Sequence, residues 1–291
     1  MADVVRLLAG ALGNAAIYAL LAFSLVLVHR GSGVLNFGVG HVAVFCGILF
    51  ANLSGGQGGW GGFVLTLVVG AVVGVAMYGA AIAVGQVRGA TTTSLAISAL
   101  GFGMVLEYFA GVFWDKRSFT VPPMWEGSTS VFGAMVTHQR ILTILMAAAS
   151  FVVVLLLLEK TMAGWALEAV AHDRDLAASY GVRVSLSLVA VWALGGVLAA
   201  VAGALVAPLS SVTRALALPL VVKGFAAAVV GGVNSTSGAV VGALVVAVAE
   251  ALFIRYVSTS YAGAFAFLLL FVVLAVRPQG ILGDRRLVER A

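Results

Sequence analysis

The chain has 291 residues, 62% of them hydrophobic and only 9% charged, with a formal net charge of +5 and a mean hydropathy of +1.15. A soluble core cannot hide that much apolar surface, so the composition excludes a water-soluble globular domain and selects a membrane protein. The excess of Lys and Arg lies at the ends of apolar runs, as the positive-inside rule expects, so no nucleic-acid partner is expected.

Only helices and closed barrels satisfy their backbone polar groups in lipid, and continuous rather than alternating apolar runs select helices. The expected fold class is all-α, a polytopic transmembrane helical bundle in a single domain over 1–291. In chain order the spans fall at 7–28, 34–53, 61–86, 93–113, 140–158, 184–207, 237–255 and 261–276. A ninth segment, 216–233, is interrupted by Pro219 and carries Lys223, which fits a short crossing, a half-helix or a re-entrant piece. The first span runs past signal-peptide length without a small-residue cleavage site, so no cleaved leader is expected.

Loop charges give an orientation. His29 and Arg30, then Arg88, then Glu159 to Arg183 occupy alternate loops, whereas the loop 54–60 has no charge. The charged loops are expected on the cytoplasmic side and the N-terminus outside. Arg277, Arg285, Arg286 and Arg290 put the C-terminus inside as well, and that parity favours nine segments over eight. The segment 114–139, with Asp115, Lys116, Arg117, Pro122, Pro123 and Trp125, becomes an external loop.

Small residues one turn apart, at Gly70 and Gly74, at Gly238 and Gly242, and at Gly195, Ala199 and Gly203, predict close helix contacts. Cys46 lies inside a span and forms no intramolecular disulfide; no metal site and no cofactor are expected. Glu107 and Glu250 are intramembrane carboxylates and hence functional candidates, with Lys223 and Arg255 available to Glu250. The segment Gly33–His41, GVLNFGVGH, places Asn36 to cap the second helix, and its glycines allow irregular backbone along a cavity. His41 alone fits a hydrogen-bonded helix-start residue better than a metal ligand, because a metal needs several converging ligands.

The most polar stretch between two spans is Gly164–Tyr180, GWALEAVAHDRDLAASY, flanked by Glu159, Lys160 and Arg183. At helical spacing Trp165, Ala169, Leu176 and Tyr180 share one face, and Gly181 is placed to end the helix. Such an amphipathic helix is suited to dock in a groove of a partner outside the membrane.

Four blocks carry a family resemblance. GSGVLNFGVGH resembles the G-x-x-NF-x-x-G signature of bacterial ABC-transporter permeases of the branched-chain amino-acid type. The stretch Lys223–Leu252 is similar to that family's GG-x-x-S-x-x-GA block with its following Glu, and Leu268–Gly283 to its C-terminal signature. The polar stretch resembles its cytoplasmic coupling segment, departing at Trp165 and Glu168 where many relatives carry basic residues, and the length fits the shorter of two paired permease subunits.

The resemblance implies a multi-pass protein of the bacterial plasma (inner) membrane, a permease subunit of an importer for branched-chain or other small amino acids. It implies as partners two cytoplasmic ATP-binding subunits, a second permease that is a paralogue, and an extracytoplasmic solute-binding protein. The coupling segment, 159–183, is then expected to meet the ATPase through Gly164, Trp165, Glu168, Ala169, Asp173, Leu176, Tyr180 and Gly181. The substrate path is expected along Asn36, Phe37, Gly38, His41, Lys223, Asn234 and Glu250. The chain holds no phosphate-cradling Gly-rich loop ending in Lys and Ser/Thr, so ATP must act through another chain and no enzymatic site is expected. The alternative reading is a stand-alone secondary transporter or channel for a small solute, which would rely on intramembrane ionisable residues.

Overall fold

Continuous apolar segments give helices that lie side by side. The computed structural model describes residues 2–53, 59–114, 118–131, 134–259, 261–277 and 279–283. The stretch Asp115 to Arg117, most of the uncharged loop at 54–58 and the tail arginines Arg285, Arg286 and Arg290 lie outside the described residues.

The bundle helices are α1 (Ala2–Ser32), α2 (Val39–Leu53), α3 (Trp60–Met77), which runs on through a π-helical turn (Tyr78–Ala83) into α4 (Val84–Val87), and α5 (Thr92–Phe113). A hairpin of β1 (Ser128–Val131) and β2 (Ala134–Thr137) precedes α6 (His138–Lys160), and the short α7 (Met162–His172) and α8 (Arg174–Ser179) lead to α9 (Val184–Val206). A 3-10 turn (Arg214–Leu216), α10 (Ala217–Gly231), α11 (Thr236–Tyr256) and α12 (Ala262–Val276) complete the order. Among the described residues seven helices are long and apolar enough to cross a membrane, and α2 and α12 are shorter apolar helices. The ambiguous segment 216–233 is helical over Ala217–Gly231 and belongs to one of the seven by length and composition.

The centre and periphery of the bundle separate by burial. The apolar windows of α1 and α9 are 78% and 72% buried, against 28% for the windows of α3–α4 and of α5 and 17% for α6. Small residues make the central contacts. Gly70 and Gly74 of α3 face Gly196 and Trp192 of α9, and Gly47 of α2 faces Gly203, so that a methyl group at any of the three would press on opposing backbone.

The structure adjusts three expectations. The fold is all-α apart from the β1–β2 hairpin, antiparallel with Ser128 opposite Thr137, inside the 114–139 segment. Alpha-helix α1 runs four residues past the expected end of the first span at 28. The second span starts as a helix at Val39 rather than at 34, because Gly33 to Gly38 form a non-helical passage into the bundle.

That passage sets where α2 begins. A Cβ at Gly38 would lie 2.5 Å from the carbonyl oxygen of Ala99, seven residues or about 10 Å along α5. A Cβ at Gly40 would lie 2.5 Å from the carbonyl oxygen of Ala217, the first residue of α10. The first turns of α2 and α10 thus meet inside the bundle, and only glycine lets them approach so closely.

Candidate functional site

The non-helical passage is held by its own polar groups. Ser32 Oγ donates to the Val28 carbonyl at 2.7 Å and accepts from the Val34 amide at 3.3 Å. Gly33, at φ +73°, turns the chain out of α1. Asn36 is buried, and its Oδ1 accepts from the Gly38 amide at 3.0 Å while its carbonyl accepts from the Val39 amide at 3.3 Å. Asn36 therefore launches α2 through an Asx-type turn, the local side-chain chemistry for which Asn is suited. Phe37 meets Phe225 of α10 edge-on, with ring centroids 5.2 Å apart.

One turn into α2, His41 is 4% exposed and places Nε2 at 3.4 Å from Oε2 of Glu107 on α5. Its Nδ1 is buried with no partner among the described residues. Gly103, Glu107 and Gly111 are spaced by four and share one face of α5. A Cβ at Gly103 would stand 3.0 Å from the His41 ring, and Gly111 lies directly against the guanidinium of Arg214, from the 3-10 turn before α10. Glu107, with 36% of its side chain exposed, thus lies on the α5 face that meets His41 and, one turn on at Gly111, Arg214. The structure brings Asn36, Phe37, Gly38 and His41 together at this junction of α2, α5 and α10, and adds Glu107 and Arg214. Glu107 was visible as a carboxylate in an apolar span; Arg214, outside the regular spans, gave no signal.

Lys223 and Glu250 form a second cluster. Lys223 Nζ lies 2.7 Å from Oε1 of Glu250, the Tyr18 hydroxyl donates to Oε2 at 2.7 Å, and the ammonium sits 5.4 Å from the centre of the Tyr18 ring. Glu250 is 5% exposed, so each carboxylate oxygen is engaged within the protein, and the cluster ties α1, α10 and α11 together. Asn234 joins neither cluster. It is exposed in the turn between α10 and α11, at the opposite end of α11 from Glu250.

The polar stretch is helical but not one helix. Asp173 interrupts it with extended backbone, φ −155° and ψ 112°, and its side chain accepts from the amides of Asp175 and Leu176 at 3.0 and 2.9 Å to start α8. Trp165 and Ala169 lie on α7, Leu176 on α8 and Tyr180 just after it, so the expected single-helix stripe becomes a face shared by two short helices. It remains open: Trp165, Leu176 and Tyr180 are 58%, 55% and 81% exposed, and Ala169 and Glu168 are exposed beside them. The opposite side, with Leu167, Val170 and Ala177, is buried in the bundle. Gly164 is needed where α6 turns into α7, because a Cβ there would overlap the Leu158 carbonyl. Gly181, at φ +85°, ends α8. Arg174 donates through Nη2 to the carbonyl of Ser32, joining α8 to the end of α1. Among the described residues no group of three or more metal-ligating side chains occurs.

A sequence model described as "Branched-chain amino acid transport system / permease component" matches residues 7–274. The chain is 30% identical over 285 residues to the high-affinity branched-chain amino acid transport system permease protein LivH of Escherichia coli K12, covering 91% of each. It is 27% identical over 282 residues to the corresponding permease BraD of Pseudomonas aeruginosa, again covering 91% of each. It is 28% identical to a probable branched-chain amino acid transport permease of Methanocaldococcus jannaschii, covering 95% of this chain and 92% of that one. Among solved structures, PsaBC from Streptococcus pneumoniae in complex with Fab aligns at a TM-score of 0.48 and 17% identity, over 97% of this chain and 94% of that one.

Proposed function

The chain belongs to the family of branched-chain amino acid transport permease components, and from that premise we propose how its two functional regions divide the work of import. It is the membrane-spanning subunit of an ABC importer, a multi-pass protein that forms the translocation path for branched-chain or other small amino acids. The observation that carries this is the match along residues 7–274, nearly the whole chain.

In our reading α7 and α8 face the cytoplasm, where an ATP-binding subunit receives Trp165, Ala169, Leu176 and Tyr180 in a groove. The open apolar face of these residues supports it, because their opposite side is already spent on the bundle. Two ATP-binding subunits, a second permease and an extracytoplasmic solute-binding protein complete the complex. The β1–β2 hairpin, at the far end of the bundle, lies on the side where the binding protein delivers substrate.

The path follows the junction of α2, α5 and α10, with Asn36, Phe37, Gly38 and His41 along it. Non-helical backbone at membrane depth is tolerated where it is buried in protein or lines a water-filled cavity, and short helices starting there offer free amides to a passing solute. Lys223 and Glu250 act one layer behind, with Tyr18, as the clamp that holds α10 against α1 and α11. Arg174 links the two regions, since a movement of α8 pulls on the carbonyl from which the passage begins.

The experiment is reconstitution in liposomes with the ATP-binding subunits, the second permease and the binding protein. Uptake of leucine, isoleucine or valine that requires all of them and ATP is the expected result. Uptake by this chain alone without ATP would instead establish a stand-alone secondary transporter or channel.

A further inference from the structure

Two cavities share a wall and have opposite chemistry. The first, of about 490 Å³, lies between α1, α6 and α11 and is lined almost wholly by apolar side chains, among them Leu12, Ala19, Phe23, Ala148, Phe151 and Leu244. The second, of about 360 Å³, continues from it at Phe151 and Ser237 to the end of the bundle where α7 packs, and there the lining includes Arg30, Glu159, Glu168, Thr236 and Ser237. We propose that the two together are a binding site for one phosphatidylethanolamine molecule, an acyl chain in the apolar cavity and the headgroup in the polar one.

Length and depth fit. From Arg30, Phe23 lies about 10 Å and Ala19 about 16 Å along α1, so an acyl chain hung from a headgroup at Arg30 enters the near half of the groove within the depth of one hydrocarbon leaflet, about 15 Å. Arg30 and Glu159 stand near the ends of α1 and α6, where those helices leave the apolar layer.

The charges choose the headgroup. Arg30 donates through Nη1 to the Thr236 hydroxyl at 2.9 Å, which fixes its guanidinium at the cavity and leaves further N–H groups for a phosphate, beside the Ser237 hydroxyl. Glu159 and Glu168 line the same cavity and hold no ion pair among the described residues. A guanidinium with two carboxylates complements a phosphate followed by a primary ammonium. The second carboxylate repels the extra negative character of an anionic headgroup such as phosphatidylglycerol. The lipid would then lie beneath α7 and against the start of α11, wedged among the elements that carry the open α7–α8 face.

Native mass spectrometry of the detergent-purified full chain, delipidated stepwise and then offered phosphatidylethanolamine or phosphatidylglycerol, tests the site. One phosphatidylethanolamine is expected to survive delipidation and to rebind at least tenfold more tightly than phosphatidylglycerol. Glu159→Gln combined with Glu168→Gln is expected to abolish that preference, and Arg30→Gln to weaken the binding of both lipids. Ala148→Phe, which fills the apolar cavity from an exposed position on α6, is expected to lose the bound lipid, whereas the neighbouring Ala149→Phe, outside the lining, is expected to keep it. Equal retention of the two lipids, or undiminished phosphatidylethanolamine binding by Ala148→Phe, overturns the assignment.

Discussion

Arg174 on α8 donates a hydrogen bond to the carbonyl of Ser32, the last residue of α1, across 142 residues of sequence. That carbonyl is one of the unsatisfied acceptors every helix leaves at its C-terminus, and a guanidinium is well suited to take it. Gly33 leaves α1 at this point and begins the passage to Asn36. The bond therefore joins the surface proposed to meet the ATPase to the segment proposed to line the path. Replacing Arg174 by Ala should cost no more than about 1.5–3 kcal/mol of stability, the usual worth of a hydrogen bond to a charged group. Its effect on coupling should be larger. In the reconstituted complex ATP hydrolysis should persist while amino-acid uptake per ATP falls several-fold, and Arg174→Lys should restore part of it; uptake and hydrolysis that fall in parallel would assign Arg174 a purely structural role.

Trp165 and Tyr180 make the second prediction. Both are exposed, so truncating either should change the stability of the isolated chain by no more than about 0.5 kcal/mol. Large aromatic anchors dominate interface energetics, with truncations of about 2 kcal/mol or more, a loss of roughly thirtyfold in affinity. Trp165→Ala should therefore weaken binding of the ATP-binding subunit in detergent on that scale, with an unchanged melting curve for the permease alone. Unaltered affinity in both Trp165→Ala and Tyr180→Ala would move the docking surface elsewhere.

How far these features could be read in advance depends on the range of the interaction that creates them. The spans were legible because lipid demands unbroken apolar segments, whereas the Pro-interrupted segment 216–233 left a crossing, a half-helix and a re-entrant piece open. The close glycine contacts at Gly70, Gly74 and Gly203 were legible because spacing by one turn puts them on one face. The start of α2 was not: Val34 and Leu35 are as apolar as the helix that follows, and only the fit of Gly38 against Ala99 shows that the helix waits until Val39. The break at Asp173 was hidden for a related reason. Helical spacing from Trp165 to Tyr180 is compatible with one helix, and an Asp that caps a new helix looks the same in sequence as one on a solvated face. Tyr18 and Arg174 find their partners 232 and 142 residues away, beyond any local pattern. Glu250 was recognised as a candidate with Lys223 in reach, but its second partner, Tyr18, decides that it is clamped rather than open.

That clamp gives the third prediction. Removing one member of a buried ion pair leaves the other charged and unpaired, which costs about 3–5 kcal/mol, whereas replacing both by apolar groups of similar size is often neutral. Glu250→Gln or Lys223→Met alone should each lower the thermal stability of the purified chain markedly, and the double variant Lys223→Met with Glu250→Leu should recover most of it. Tyr18→Phe should cost less, about 1.5–3 kcal/mol, because it removes one hydrogen bond to the carboxylate and keeps the ring beneath the ammonium. Additive losses in the double variant would show that the two residues do not act as a pair.

Asn36 and Glu107 separate a folding role from a transport role at the junction of α2, α5 and α10. Asn36 makes the turn that starts α2, so Asn36→Ser, whose neutral hydroxyl oxygen can accept in the same kind of turn, should preserve the fold, whereas Asn36→Leu should lose the Gly38 hydrogen bond and destabilise the chain by about 1 kcal/mol. Glu107 stands partly exposed on α5, beside His41 and one turn before Gly111, which lies against Arg214. A carboxylate in a membrane span is costly, by about 3 kcal/mol on insertion scales, so one that makes only a 3.4 Å contact to His41 contributes little to offset that cost. Glu107→Gln should therefore leave the chain as stable as before or stabilise it slightly. In the reconstituted complex the same substitution should slow uptake severalfold, because the carboxylate lies beside the passage at the depth of the first turn of α2. A variant that transports as well as the parent would take Glu107 out of the path and leave its pairing with His41 as a contact between α2 and α5 alone.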